Sequence, residues 1–121
     1  MRARGRNVRT PAEELNIPEW YIGKNYVVLK TRNQDAWKYV INRTPFEGSN
    51  LSGWLIGKNY VVFSYRIPIY VYSDREGKWY GNNQKYFRAT AVHERQADPR
   101  NGDIKDIDIE YVSEDELWRI I

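Results

Sequence analysis

The sequence predicts an α+β fold: a small antiparallel β-sheet domain with short terminal helices and a partial internal duplication. Three observations predict it. The string Trp20-Tyr21-Ile22-Gly23-Lys24-Asn25-Tyr26-Val27-Val28 recurs 34 residues later as Trp54-Leu55-Ile56-Gly57-Lys58-Asn59-Tyr60-Val61-Val62, identical at eight of nine positions. Each copy runs into β-branched and aromatic residues, which suit a strand. Ile107, Ile109 and Tyr111 alternate with acids, the period of a half-buried strand. Thr10-Pro11-Ala12-Glu13 and Ser113-Glu114-Asp115-Glu116 have the form of capping boxes near the two ends of the chain.

A length of 121 residues and 14.5 kDa accommodates one domain. Residues 1–9 carry four Arg and no acid and are expected to be flexible. Residues 10–121 form a single α+β domain, with a repeat-derived lead-in at 20–53 and a second unit at 54–121. The elements then read in order. A helical turn runs from Thr10 through Leu15 and stops at Pro18. Each repeat copy supplies a Gly-Lys-Asn turn that feeds a strand. The first feeds Tyr26–Lys30, and after the polar turn Thr31–Asp35 a second strand, Trp37–Ile41, closes a hairpin. Residues Asn42–Gly53 have loop composition. The second copy feeds Tyr60–Tyr65, and Pro68 marks the start or edge of strand Ile69–Tyr72. A turn at Ser73–Lys78 leads to a short strand at Trp79-Tyr80, closed by Gly81-Asn82-Asn83. Gln84–Gln96 suits either a short helix or a strand and turn, with the helix placed at Thr90–Gln96. A turn at Asp98–Asp103, a strand at Ile104–Tyr111 and a helix at Glu114–Ile120 complete the chain.

Composition excludes whole classes of chemistry. There is no Cys, so no disulfide, thiolate nucleophile or thiolate-bound metal, and a single His rules out a His-rich metal site. No apolar run approaches a membrane span, and no apolar segment follows the basic start, so a cytoplasmic protein is expected. The Gly-Lys pair of each repeat copy lacks the spacing, the Ser/Thr and the following helix of a phosphate loop. Neither a metal nor a cofactor is implied.

Two features point to a partner. The formal net charge of +3 is uneven: residues 1–96 hold 16 Lys+Arg against 8 Asp+Glu, residues 97–121 hold 3 against 8. The basic body fits a nucleic acid or another polyanion, or else it is neutralised by its own acidic C-terminal section. The second feature is an aromatic content of 15%, with ten Tyr and five Trp. Tyr65, Tyr70, Tyr72, Trp79, Tyr80 and Tyr86 crowd together beside Arg66, Arg75, Lys78, Lys85 and Arg88. Rings interleaved with cations are what stacking on bases and pairing with phosphates require, whereas a domain this small also needs large rings for its core. Thr90 and His93 join the candidates because His93 is the one side chain that titrates near neutrality by default. It lacks a recognisable nucleophile motif or paired acid, so no catalytic residue is assigned.

Tyr60-Val61-Val62-Phe63-Ser64-Tyr65, Pro68-Ile69-Tyr70-Val71-Tyr72, Trp79-Tyr80-Gly81-Asn82, Lys85-Tyr86, Thr90, His93, Gln96-Ala97 and Pro99 together resemble a family of short uncharacterised proteins encoded by bacteriophages and prophages. The resemblance covers about residues 60–99. This chain departs from it in a shorter Ser64-Tyr65 to Pro68 interval without the family's Gly and His, and in Phe87 and Ala89 where Ser and Thr are usual. The resemblance implies a phage origin and a host-cell cytoplasmic location. With it, the expected function is a small non-enzymatic binding protein that inhibits a host bacterial defence system, by blocking a host protein or sequestering a nucleotide-type signal. The alternatives are a nucleic-acid-binding accessory protein using the basic body and, third, a small enzyme centred on His93. A homodimer is expected if a sheet edge is exposed.

Overall fold

Seven strands in one sheet and three helices make up the fold among the described residues, which in this computed structural model are 28–86, 88–102 and 107–121. The basic N-terminus, the helical turn at Thr10–Leu15 and all of the first repeat copy except Val28 lie outside them. In chain order the elements are β1 (Leu29–Lys30), α1 (Ala36–Ile41), β2 (Phe46–Glu47), β3 (Leu51–Ile56), β4 (Asn59–Ser64), β5 (Ile67–Ser73), β6 (Lys78–Asn82), α2 (Arg88–Ala97), β7 (Ile109–Val112) and α3 (Glu114–Ile120). Single 3-10 turns at Asn33–Asp35 and Pro99–Asn101 flank the first two helices.

The strands lie in the sheet in their sequence order. From β2 to β6 every neighbour is antiparallel, but the two outermost pairs, β1–β2 and β6–β7, are parallel. A parallel pair requires the chain to return to its starting end, and a helix is the usual means. Here α1 and α2 are those crossovers. β1 and β6 point the same way, and both crossovers step in the same direction across the sheet. Two crossovers of one hand must then place their helices on the same face, and α1 and α2 do share a face. α3, after β7, covers the other.

Alternation along β4 shows the two faces. Tyr60 and Val62 join Ala36, Val40, Phe46, Ile69, Trp79 and Ala97 in the cluster under α1 and α2. Val61 and Phe63 join Trp54, Ile56, Val71, Tyr80, Leu117 and Ile121 in the cluster under α3. The register shifts between Val62 and Phe63, opposite Tyr70 and Pro68, so Ile69 is an extra residue on β5. Ile69 and Tyr70 therefore both pack toward α1 and α2, where strict alternation would separate them. Leu117 is fully buried and anchors α3, and truncating it to Ala is expected to cost about 2–5 kcal/mol. The capping sequence at Ser113 works as read: its Oγ accepts from the Glu116 amide at 3.2 Å.

Several expected elements are corrected. Residues 37–41 form helix α1, not a strand, and no hairpin joins them to residues 28–30, the described part of the expected first strand. The Trp37-Tyr39-Ile41 alternation competes with an Ala36–Val40 spacing of four, and burial of Ala36 and Val40 against the sheet decides for the helix. α1 ends with the Arg43 amide on the Val40 carbonyl and the Thr44 amide on the Tyr39 carbonyl, with Arg43 at φ 51° where Gly or Asn is usual. The segment 42–53 is not all loop: it contains β2 and the start of β3. Gly53 belongs to a strand because a Cβ there would stand 2.6 Å from Phe46 Cε1, so it makes room for rings rather than for a turn. Gly81 and Asn82 continue β6 instead of closing it, since the Tyr111 ring lies across Gly81, 2.7 Å from where a Cβ would stand. The last strand spans Ile109–Val112, with residues 103–106 outside the description. The second repeat copy forms the β3–β4 hairpin, turning at Gly57 with φ 62°. Val28 packs under α3, while its repeat counterpart Val62 packs under α1 and α2, so the equivalence in sequence does not extend to the face used.

Candidate functional site

Strands β4 and β6 run the same way, so the β4–β5 turn and the segment after β6 emerge at the same end of the sheet. Four of the polar positions that mark the sequence pattern meet there. Ser64, the last residue of β4, lies 3.0 Å through Oγ from Thr90 Oγ1, to which it donates, and 2.7 Å from His93 Nδ1. With the Ser64 proton directed to Thr90, Nδ1–H donates to Ser64. Ser64, Thr90 and His93 are 0%, 3% and 7% exposed, and the three fasten α2 to β4. The Tyr65 ring lies against His93, centroids 5.6 Å apart and tilted 40°. Burial lowers the His93 pKa, and no carboxylate among the described residues pairs with the ring.

A second polar knot sits beside it. Asn82, buried at the end of β6, donates to the Pro68 carbonyl at 2.8 Å and to Tyr86 Oη at 2.9 Å, and its Oδ1 accepts from the Gln84 amide at 2.9 Å. Its amide thus meets β5 at Pro68, beyond the Tyr70–Gly81 pair where the β5–β6 ladder stops. Tyr86 Oη donates to Glu114 Oε1 at 2.8 Å, which ties the lead into α2 to the first turn of α3. Burial, reinforced by Glu114, pushes the Tyr86 phenol up to about 12.

The candidates named from sequence divide into four groups. Tyr65, Thr90 and His93 come together around Ser64, and Arg66, Lys85 and Arg88 are exposed at the same end; Tyr86 is half-buried beside them. Tyr70 is core, its Oη donating to the Glu94 carbonyl at 2.9 Å, and burial pushes its phenol up. Tyr72 and Trp79 lie near the opposite end of the strands: Trp79 stacks edge-on against Tyr72 at 5.3 Å and Tyr60 at 6.3 Å, and Arg43 Cζ sits 4.2 Å over the Tyr72 ring. Tyr80 is on the other face, under α3, with its hydroxyl on Glu76 and Lys78 5.2 Å over its ring. The aromatic excess is therefore spread over four separate environments. Ser64 was not among the candidates, although it stands at the centre of the first group; its spacing to His93 across two turns, two strands and a loop gives no local signal.

The Ser64–His93 distance is that of a nucleophile and its base. Ser64 is enclosed, however, and its second partner is the Thr90 hydroxyl rather than an acid on His93, so a substrate has no path to Oγ. What the end presents to solvent is Tyr65, 49% exposed and held at φ 57°, flanked by three cations that pair with no acid among the described residues. The described acids flanking this end are mostly engaged: Asp35 with Arg32, Glu47 with Lys30, Glu114 with Tyr86 and Trp118, Glu116 with Arg119. Among the described residues the acidic C-terminal section makes little ionic contact with the basic body. Lys78–Glu110 is the one ion pair between them among the described residues, and α3 covers an apolar face. No group of His and acids among the described residues could hold a metal, and no described helix is long and apolar enough to cross a membrane. Comparison with protein-family models, curated proteins and solved structures gave no match.

Proposed function

We propose that the chain is a small, non-enzymatic, phage-encoded binding protein that inhibits a host bacterial defence system, and that it engages its target through the Tyr65 end of the sheet. The observation that carries the reading is a large ring kept exposed in a strained conformation. An L-residue in the left-handed region costs about 1–2 kcal/mol, and a two-residue turn would hold Gly there freely. Strain retained under an exposed aromatic side chain points to a use for that side chain. The phage origin and the defence target rest on the family resemblance; the contact surface rests on the geometry.

Of the two modes, capture of a nucleotide-type signal has the better support, because the ring occurs together with cations that pair with no described acid. The nucleic-acid alternative has less: among the described residues the free cations form a short patch between acids, not a track. The test is plating of a defence-sensitive phage on a host carrying an active defence system. Expression of the wild-type chain should restore plating, and the doubly substituted Tyr65→Ala, Arg66→Ala chain should not. Equal plating with both, at equal soluble protein, would remove the Tyr65 end from the reading.

A further inference from the structure

We infer that the Tyr65 end takes a short nucleotide ligand of one or two nucleotides, its base on the Tyr65 ring and its phosphates among Arg66, Lys85 and Arg88. This rests on the Tyr65 end being the binding surface and adds the class of ligand.

The geometry limits the ligand in three ways. One side of the Tyr65 ring is backed by His93, which leaves about half of the residue's surface open as a fixed stacking platform. Arg66 adjoins that ring in the same turn, while Lys85 and Arg88 follow β6, two strands away and about 10 Å across at the usual strand spacing. Guanidinium groups match phosphate oxygens in pairs, and none of the three cations has a described acid to hold it back. Acids then close the patch on both sides. Asp35 and Glu47 stand toward β2, and Glu114, Asp115 and Glu116 stand at the start of α3. A single strand of nucleic acid would need a longer positive track, since such sites commonly run about 4–16 nucleotides. A standard protein interface buries about 800 Å² of surface on each partner around a central cluster of large anchoring side chains. The other two exposed large apolar side chains, Leu29 and Tyr111, stand on the edge strands β1 and β7, apart from Tyr65 and from each other.

The test is calorimetric titration of the full chain with ATP and with 5′-phosphorylated diadenylate, beside adenosine, inorganic triphosphate and an oligodeoxyadenylate of about 20 nucleotides. Either nucleotide should bind at least about tenfold more tightly than adenosine or triphosphate alone, because ring and phosphates both contribute. Tyr65→Ala should weaken binding about tenfold or more, Tyr65→Phe should hold it within about threefold, and Arg66→Ala and Arg88→Ala should each weaken it. Tyr65 is exposed in a turn, so these variants should keep the fold, and thermal unfolding is the check. Absence of binding at about 1 mM, or binding indifferent to Tyr65→Ala, would overturn the inference. So would an oligonucleotide bound far more tightly with a steep salt dependence, which identifies a strand site instead. A host-protein complex lost in Tyr65→Ala with no nucleotide bound would overturn the ligand class and keep the binding surface. The same complex surviving the Tyr65→Ala, Arg66→Ala change, with no nucleotide bound, would overturn both.

Discussion

The two ends of the sheet use the same residue types to opposite effect. At the end of Tyr72, an Arg held at φ 51° closes over a Tyr ring, which leans on Trp79 and through it on Tyr60. Cation and ring satisfy each other inside one molecule, and the neighbouring β5–β6 turn mixes Asp74, Arg75 and Glu76. At the end of Tyr65, a Tyr held at φ 57° covers a buried His, and Arg66, Lys85 and Arg88 stand unpaired with any described acid. The same ingredients are spent on stability at one end and left open at the other. Both ends carry a Tyr ring, an Arg and a non-glycine residue at positive φ; the partner each ring meets sets them apart.

The largest expected effect breaks the closed end. Trp79→Ala removes a buried ring touching two others, and urea unfolding should show a loss of about 3–5 kcal/mol. A loss below 1 kcal/mol would mean that the ring ladder carries little packing.

Next comes the polar knot behind Tyr65. Ser64→Ala leaves His93 Nδ1 and Thr90 Oγ1 without their shared partner in a buried site, and should cost about 1–3 kcal/mol by the same measurement. A double-mutant cycle of Ser64→Ala with His93→Ala should return a coupling of about 0.5–3 kcal/mol, and a coupling of zero would show that the short contact contributes nothing.

The pH dependence sharpens the same point. Burial lowers the folded-state pKa of His93, so the unfolded chain binds the proton first. Stability should be full above the unfolded value of about 6.5 and should fall as the pH drops from there toward the lower folded value. The hydrogen bond from Nδ1 to Ser64 survives protonation, and the loss comes from charging a buried ring. Glu94, whose carboxyl burial pushes up, acts in the opposite sense at lower pH, so the informative quantity is the difference between wild type and His93→Gln. Identical slopes for the two proteins between pH 5 and 7 would assign the dependence to other groups.

The smallest effect compares the two strained positions directly. Tyr65→Gly relieves the left-handed backbone and should be neutral to stabilising by up to about 1 kcal/mol. Arg43→Gly relieves the same strain but also removes the cation over Tyr72, and should fall below Tyr65→Gly by about 0.5–1 kcal/mol. The reverse order would undo the distinction between a closed end and an open one.

Much of the fold is legible along the chain because the signals are local. Capping at Ser113, the glycine turn at Gly57, the helix over Thr90–Gln96 inside α2 and the β-branched and aromatic run of β4 each depend on residues within a few positions. Residues 37–41 are misread as a strand because two apolar periods fit them equally, and the choice falls to the sheet that buries Ala36 and Val40. The same holds for the site. Sequence order brings Tyr65 and His93 onto one roll of candidates, but it offers nothing to separate them from Tyr70, Tyr72, Trp79 and Tyr80.

By itself, then, the sequence determined an aromatic-rich α+β domain, its strands from β4 to β6, its last helix cap and the residue types from which a binding surface is made. The tertiary structure alone decided that both outer strand pairs are parallel, that α1 and α2 share a face, that Ser64 joins Thr90 and His93, and that Tyr65 is the ring left open. The physical reason is range. Propensity, capping and turn chemistry act over a few residues, whereas burial, cross-strand register and the pairing of charges are settled between segments tens of residues apart.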